Sequence, residues 1–98
     1  MSATTLHGLE HLVVTFEMAE DEEEEVSVLV VAEAPVYAYI VNDEGLDAFE
    51  QAQTFDSYGG SHERKRHERT ISLDGPGQYH LLIVNVRPED IAVYYEVR

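Results

Sequence analysis

Histidine is the residue type in this chain best suited to chemistry, because a neutral imidazole is a common ligand of transition metals. The sequence has five of them: His7, His11, His62, His67 and His80. His62 and His67 lie in a predicted loop and, with a nearby carboxylate, make the best candidate for a metal site. Their spacing alone is a weak signal, so we expect no cofactor and keep this pair as the alternative.

Nucleophilic and acid–base catalysis find no support in the residue pattern. The chain has no cysteine and therefore no thiolate nucleophile, and none of its serines lies in a Gly-x-Ser-x-Gly turn. Its 20 acidic side chains guarantee that some carboxylates lie close together, so a carboxylate pair identifies no site. The glycine-rich segments lack the lysine and the following helix of a phosphate-binding loop. We expect a protein that is not an enzyme.

A short basic segment, residues 62–69, interrupts an acidic chain. It holds Arg64, Lys65, Arg66 and Arg69, which are four of the six basic residues. As a loop it would contact an acidic partner or pair with the acidic surface of the protein itself. Nucleic acid is disfavoured as the partner, because the field of a chain with a net charge of −14 repels a polyanion. The segment also has no aromatic residue on which a base could stack.

Tyrosine supplies six of the nine aromatic residues. Its ring is apolar and its hydroxyl polar, and it is enriched where proteins meet partners. Tyr37 and Tyr39 share one face of a predicted strand, and Tyr94 points away from Tyr95. These positions predict an outward face of tyrosine and valine that binds a partner; the alternative is rim residues that bury the ring and leave the hydroxyl in water.

The elements that carry these residues are mainly strands. Alternation of apolar and polar residues, and short apolar runs bounded by turn residues, predict six principal strands, over 10–18, 26–32, 36–41, 68 or 69 to 73, 79–86 and 91–98. The runs 26–32 and 36–41 are almost continuously apolar and are separated by Pro35. Such runs are typical of central strands that are covered on both faces.

The connections contain one helix signal. Asn42 is a candidate N-cap, and Leu46, Phe49 and Ala52 follow at helical spacing, which predicts one or two helical turns. The acidic run 20–25 is expected to be a solvated loop; a specific Ca²⁺ or Mg²⁺ site there is the alternative, although the run lacks the turn glycine of such sites. Residues 1–9 are expected to be frayed.

These elements predict a fold class. Strands joined by short turns, with little helix and no alternation of strand and helix, favour an all-β antiparallel architecture. We expect a Greek-key or jelly-roll-like sandwich with one short helix in a connection. A chain of 98 residues has the size of a single domain, spanning 1–98.

Two patterns resemble a known class of β-sandwich modules. In the first, over 35–49, a strand leads into an Asn-bearing turn and a short helix with an aromatic residue. The second is a Gly-x-Tyr-x-Leu-x-Val-x-Asn strand, matched with isoleucine in place of valine by Gly77, Tyr79, Leu81, Ile83 and Asn85. Both are similar to GOLD-type and pre-peptidase C-terminal modules, over roughly residues 26–98. The resemblance implies a sandwich used for binding and assembly, with the helix aromatic as a plug and no catalytic residues. Such modules usually sit inside secreted or membrane-attached proteins.

The net charge of the chain predicts the environment in which the protein works. Twenty acidic residues face six basic ones, of which only Lys65 is a lysine, and such a surface is typical of a protein in concentrated KCl. We therefore expect a halophilic, archaeal character, and a cytoplasmic location because we find no signal peptide and no membrane span. The predicted function is a non-enzymatic protein-interaction or assembly module that binds another protein or itself as a homodimer. It would bind through the tyrosine and valine face, a free edge strand or the basic segment 62–69. The alternative is a small-ligand or metal-binding module that uses the loop around 59–69.

Overall fold

The computed structural model describes residues 2–18, 24–54, 57, 63–73 and 77–97, and in these ranges the chain is an antiparallel β-protein with one short helix. The elements are β1 (Ser2–Leu6), β2 (His11–Met18), β3 (Glu24–Asn42), α1 (Asp43–Glu50), β4 (Arg64–Leu73), β5 (Gly77–Val84) and β6 (Ile91–Val97). The predicted all-β class is confirmed.

The long strand β3 organises the sheet. Its first half pairs with β4 on one side and β6 on the other, and its second half pairs with β5. We call β1, β6, the first half of β3 and β4 sheet I, and the second half of β3, β5 and β2 sheet II. The predicted strands 26–32 and 36–41 are thus one strand of 19 residues. The register against β4 shifts between Val31 and Val36, and such a bulge tolerates a proline that has no N–H to donate.

The hydrophobic core lies on the inner face of both sheets. It contains Leu6, Val26, Val28, Val30, Ala32, Val36, Ala38, Ile40, Tyr79, Leu81, Ile83, Ile91 and Val93. On β5, Tyr79, Leu81 and Ile83 are buried and face this core. Their burial follows from the period of two that directs alternate side chains of a strand to one face.

Helix α1 covers the outer face of sheet II. The Phe49 ring packs edge-on against His11, with 4.9 Å between centroids. On the same face, Val41 and Leu82 are completely buried, although they point away from the core. The resemblance implied an aromatic plug within the sandwich, whereas Phe49 contacts the outer face.

The helix begins and ends on recognisable signals. Asn42 is the N-cap, as predicted, and its Oδ1 accepts a hydrogen bond from the Gly45 N–H at 2.8 Å. At the other end, the N–H groups of Ala52 and Gln53 donate to the carbonyls of Phe49 and Ala48. Ala52 has a positive φ of 55°, so the helix ends in a Schellman motif with alanine at the position where glycine is usual.

Two predictions about local structure need correction. Arg64, Lys65, Arg66 and Arg69 are not in a loop, because β4 begins at Arg64 and pairs with β3. We also expected residues 1–9 to be frayed, but Ser2–Leu6 forms β1 and pairs with β6. In both cases the partner strand is distant in sequence, and cross-strand pairing orders a segment whose own pattern is weak.

Other sequence expectations fall where no structure is described. Most of the acidic run lies outside the described residues, and only its last two members, Glu24 and Glu25, are seen at the start of β3. Of the predicted loop 59–69, residues 59–62 are likewise outside. None of the helical residues that the structure describes forms a segment long and apolar enough to cross a membrane.

Candidate protein-interaction site

The outer face of sheet I carries a row of four side chains that crosses all its strands. In register, Ala3 of β1 lies opposite Tyr94 of β6, Tyr94 opposite Val31 of β3, and Val31 opposite Arg66 of β4. Val31 lies between the core residues Val30 and Ala32 and therefore points outward. The other three lie opposite it or its partners in register and share that face, and Tyr94 is 46% exposed. We call this row the sheet I face. It is apolar along most of its length and ends in a guanidinium group.

A shallow groove adjoins the sheet I face. Leu29 lies in register with Glu68 on one side and Glu96 on the other, and these three side chains help to line a groove of about 260 Å³. The Glu68 carboxylate also accepts from Arg66 Nη2 at 3.0 Å. The face therefore combines apolar contact area with charged groups at its border, an arrangement common to protein interfaces.

The structure divides the predicted tyrosine surface between the two sheets. Tyr37 and Tyr39 stack in parallel, with 6.0 Å between ring centroids and 2° between planes. They lie on the outer face of sheet II, opposite Val84 and Leu82 of β5, and are only partly exposed. Tyr94 lies on sheet I. The two groups are on different sheets and do not form one row.

The four predicted cations are also spread out. Arg64 and Lys65 are exposed at the start of β4, where it faces the bulge of β3. Arg66 lies on the sheet I face and is bonded to Glu68. Arg69 lies opposite the core residue Val28, on the face of β4 opposite to Arg66, and lines a narrow apolar crevice with Ile71 and residues of sheet II. The basic segment is therefore a strand with two faces, not one patch.

His67 has a structural partner. It is 5% exposed, and its Nε2 donates to the carbonyl oxygen of Val36 at 2.7 Å. Val36 follows the register shift, so His67 supplies a donor to a carbonyl in the bulged part of β3. Its proposed companion His62 is outside the described residues. Within the described ranges, no group of three or more His, Asp or Glu side chains is placed to hold a metal ion.

His80 joins the helix to the edge of sheet II. Its Nε2 lies 2.6 Å from Asp43 Oδ1, at the start of α1, and its Nδ1 lies 2.9 Å from the Thr15 hydroxyl on β2. Because a carboxylate only accepts, Nε2 donates to Asp43. In the neutral form of the ring, Nδ1 accepts from the Thr15 hydroxyl. The groups have the order of a hydroxyl–imidazole–carboxylate relay, but the Asp43 side chain is 70% exposed, whereas a relay carboxylate is buried. Neither the groove nor the crevice described above is lined by Thr15.

The sequence reasoning missed an exposed apolar pair at one end of the molecule. Leu9 is 72% and Val86 is 44% exposed, and both lie in connections between strands. Gly8 marked the first connection as a turn, and a leucine in a tight turn is an uncommon choice, which was the available signal. Comparison with protein-family models and with curated proteins found no match for this chain.

Proposed function

We propose that this chain is a non-enzymatic protein-interaction module that binds another protein, or a second copy of itself, through the sheet I face. The observation that carries the proposal is the row from Ala3 through Tyr94 and Val31 to Arg66. In the described structure the helix lies over sheet II, whose outer residues Val41 and Leu82 it helps to bury, and no helix lies over sheet I.

The net charge of the chain supports concentrated salt as the condition in which this binding occurs. At a net charge of −14, two copies or an acidic partner repel each other in dilute salt. Molar KCl shortens the Debye length to about 3 Å, so an apolar face can then make contact at little electrostatic cost. We therefore propose that the module works in concentrated salt, in a cytoplasm of halophilic type. The likeness to GOLD-type and pre-peptidase C-terminal modules stays a hypothesis consistent with a binding role.

The ligand-binding alternative has less support. It rested on a loop around 59–69, but residues from Arg64 onward form β4, and His67 is buried and bonded to Val36. No described residue favours a ligand site around 59–69 over the sheet I face.

The test compares wild type with Tyr94→Ser, since serine removes the exposed ring without disturbing the strand. In about 1 M KCl, sedimentation equilibrium measures self-association, and immobilised protein measures retention of partners from its source lysate. We expect either a dimer or a reproducibly retained protein, with affinity reduced about tenfold in Tyr94→Ser.

The matched control is Gln53→Ser, which introduces the same residue at an exposed position after α1, away from sheet I, and should leave binding unchanged. A chain that stays monomeric, with lysate retention identical for wild type and Tyr94→Ser, would contradict the proposal.

A further inference from the structure

Two connections meet at the end of the molecule where β1 turns into β2 and β5 leads into β6. The Leu9 N–H donates to the Arg87 carbonyl at 3.0 Å, and the Asn85 N–H donates to the Glu10 carbonyl at 2.9 Å. A Cβ atom added at Gly8 would clash with the carbonyl oxygen of Pro88. The two connections, residues 7–10 and 85–90, are therefore packed backbone to backbone; we call them the tip.

A buried amide side chain holds the tip together. Asn85 is 1% exposed, and its Nδ2 donates to the carbonyls of His7 at 3.1 Å and Glu89 at 2.8 Å. Its Oδ1 accepts from the Arg87 N–H at 2.9 Å. Since one side chain ties both connections, what the tip displays is held in a defined position.

The tip displays Leu9 under conditions that do not favour a leucine. Leu9 is 72% exposed, so its side chain contributes little burial to the fold. Its φ is +65°, in the left-handed region where a Cβ atom costs free energy and where glycine or asparagine is preferred. Neither the exposure nor the positive φ of Leu9 stabilises the isolated domain. Backbone strain that is retained at an exposed site points to a role in contact with another molecule.

The side chains around Leu9 indicate what kind of molecule contacts it. Val86 is 44% exposed and Pro88 is also exposed, so the same connections present further apolar surface. The two connections also carry three carboxylates, those of Glu10, Glu89 and Asp90, and one arginine or lysine, which is Arg87. Arg87 is already paired with Glu63 at 3.0 Å. An apolar contact with acidic side chains around it fits a basic amphipathic partner.

We propose that the tip is a second binding site, at which Leu9 and Val86 contact the apolar face of a basic amphipathic segment of a partner protein. Lysine or arginine side chains beside that apolar face pair with Glu10, Glu89 and Asp90. A second copy of this chain fits the tip less well, because with 6 basic against 20 acidic residues it offers few cations to pair with Glu10, Glu89 and Asp90.

The probe is a helical peptide of about 18 residues with leucine on one face and lysine on the other. Its control is a peptide of the same composition with the leucines scrambled around the helix. Titration is followed by amide chemical shifts in about 0.5 M KCl, which screens diffuse attraction. We expect shift changes concentrated in 7–10 and 85–90, and affinity about tenfold higher for the amphipathic peptide than for the scrambled one.

The deciding variant is Leu9→Asn, because asparagine tolerates a positive φ but removes the apolar side chain. We expect it to weaken peptide binding about tenfold while the melting temperature of the free protein stays the same or rises. A structural leucine would behave in the opposite way, with a lower melting temperature. Tyr94→Ser, which alters sheet I, should bind the peptide like wild type.

Three results would overturn the proposal. The first is equal affinity for both peptides, and the second is shift changes spread over the acidic surface. The third is concentration-dependent shifts at the tip without peptide, which would make a second copy the occupant.

Discussion

Asn85 is the side chain that links the two connections of the tip. Its amide group makes hydrogen bonds to backbone groups of both connections of the tip, and it is almost fully buried. An amide is suited to this position because it donates from one end and accepts at the other. A carboxylate has the same shape but cannot donate.

We expect Asn85→Asp to destabilise the protein strongly. The new oxygen would face the carbonyls of His7 and Glu89 that now receive hydrogen bonds, and it would bury a charge. Unmade hydrogen bonds of this kind cost on the order of 3 kcal/mol, which urea unfolding in molar KCl would measure.

The control for this change is Gln53→Glu, which makes the same chemical substitution at an exposed amide. It should alter the free energy of unfolding by only about 0.5 kcal/mol. Equal effects of the two substitutions would mean that added charge, and not the lost donor, is responsible.

At the scale of elements, α1 decides what sheet II exposes. It is anchored at its start by Asn42 and by the bond from His80 to Asp43, and at its end by the hydrogen bonds of the Schellman motif. It lies on sheet II, where it helps to bury Leu82. Among the described residues no helix lies on sheet I, so the position of one short helix makes the two outer faces different.

Substitution of alanine by glycine should have opposite effects on stability at two positions near the end of α1. Ala52 has φ of 55°, so Ala52→Gly should stabilise the protein by about 0.5–1 kcal/mol by relieving the strain on Cβ. Ala48 lies inside α1, where Ala48→Gly should destabilise by about 1 kcal/mol, since glycine is a poor helix former.

Thermal unfolding of both variants beside wild type measures the two effects. If both variants lost stability by similar amounts, the helix would not end in the motif described here.

At the scale of the whole molecule, charge is unevenly distributed along one pair of strands. Because β3 and β4 are antiparallel, Glu24 and Glu25 lie beside the end of β4, whereas Arg64 and Arg66 face the bulge of β3. The acidic and basic stretches are therefore held apart. With 20 acidic against 6 basic residues, the net negative charge must be balanced by solvent and ions.

We expect the melting temperature to rise as KCl increases from about 0.1 M to about 2 M, because screening relieves repulsion among the carboxylates. Relief of about 1–2 kcal/mol would raise it by roughly 5–10 °C in a domain of this size. Differential scanning calorimetry across the salt series would measure the change.

The matched variant combines Glu25→Gln, Asp47→Asn and Glu50→Gln, three exposed positions. With fewer charges it should melt higher than wild type in dilute salt and respond less to KCl. An equal salt response in both proteins would show that salt acts on the apolar surface and not through these charges.

Much of the fold could be predicted from local patterns. Strand patterns located β2 and β6, and the Asn42 cap located the start of α1, because strand period and helix capping depend on neighbours in sequence. The basic segment was misplaced as a loop, since charged residues carry no apolar alternation and β4 is ordered by its pairing with β3. Of the predicted interaction residues, the structure brings only Tyr94 and Arg66 into one row.

The sequence by itself determined the all-β class, the helix cap and the acidic character, all properties of composition or of residues close together in the chain. Only the tertiary structure decided that Phe49 packs outside sheet II, that Tyr37 and Tyr94 lie on different sheets, and that Leu9 is displayed at the tip. The reason is physical: a pattern shows which side chains share a face. Which face is then covered depends on contacts between residues far apart in the chain, and those contacts form only when the sheet closes around its core.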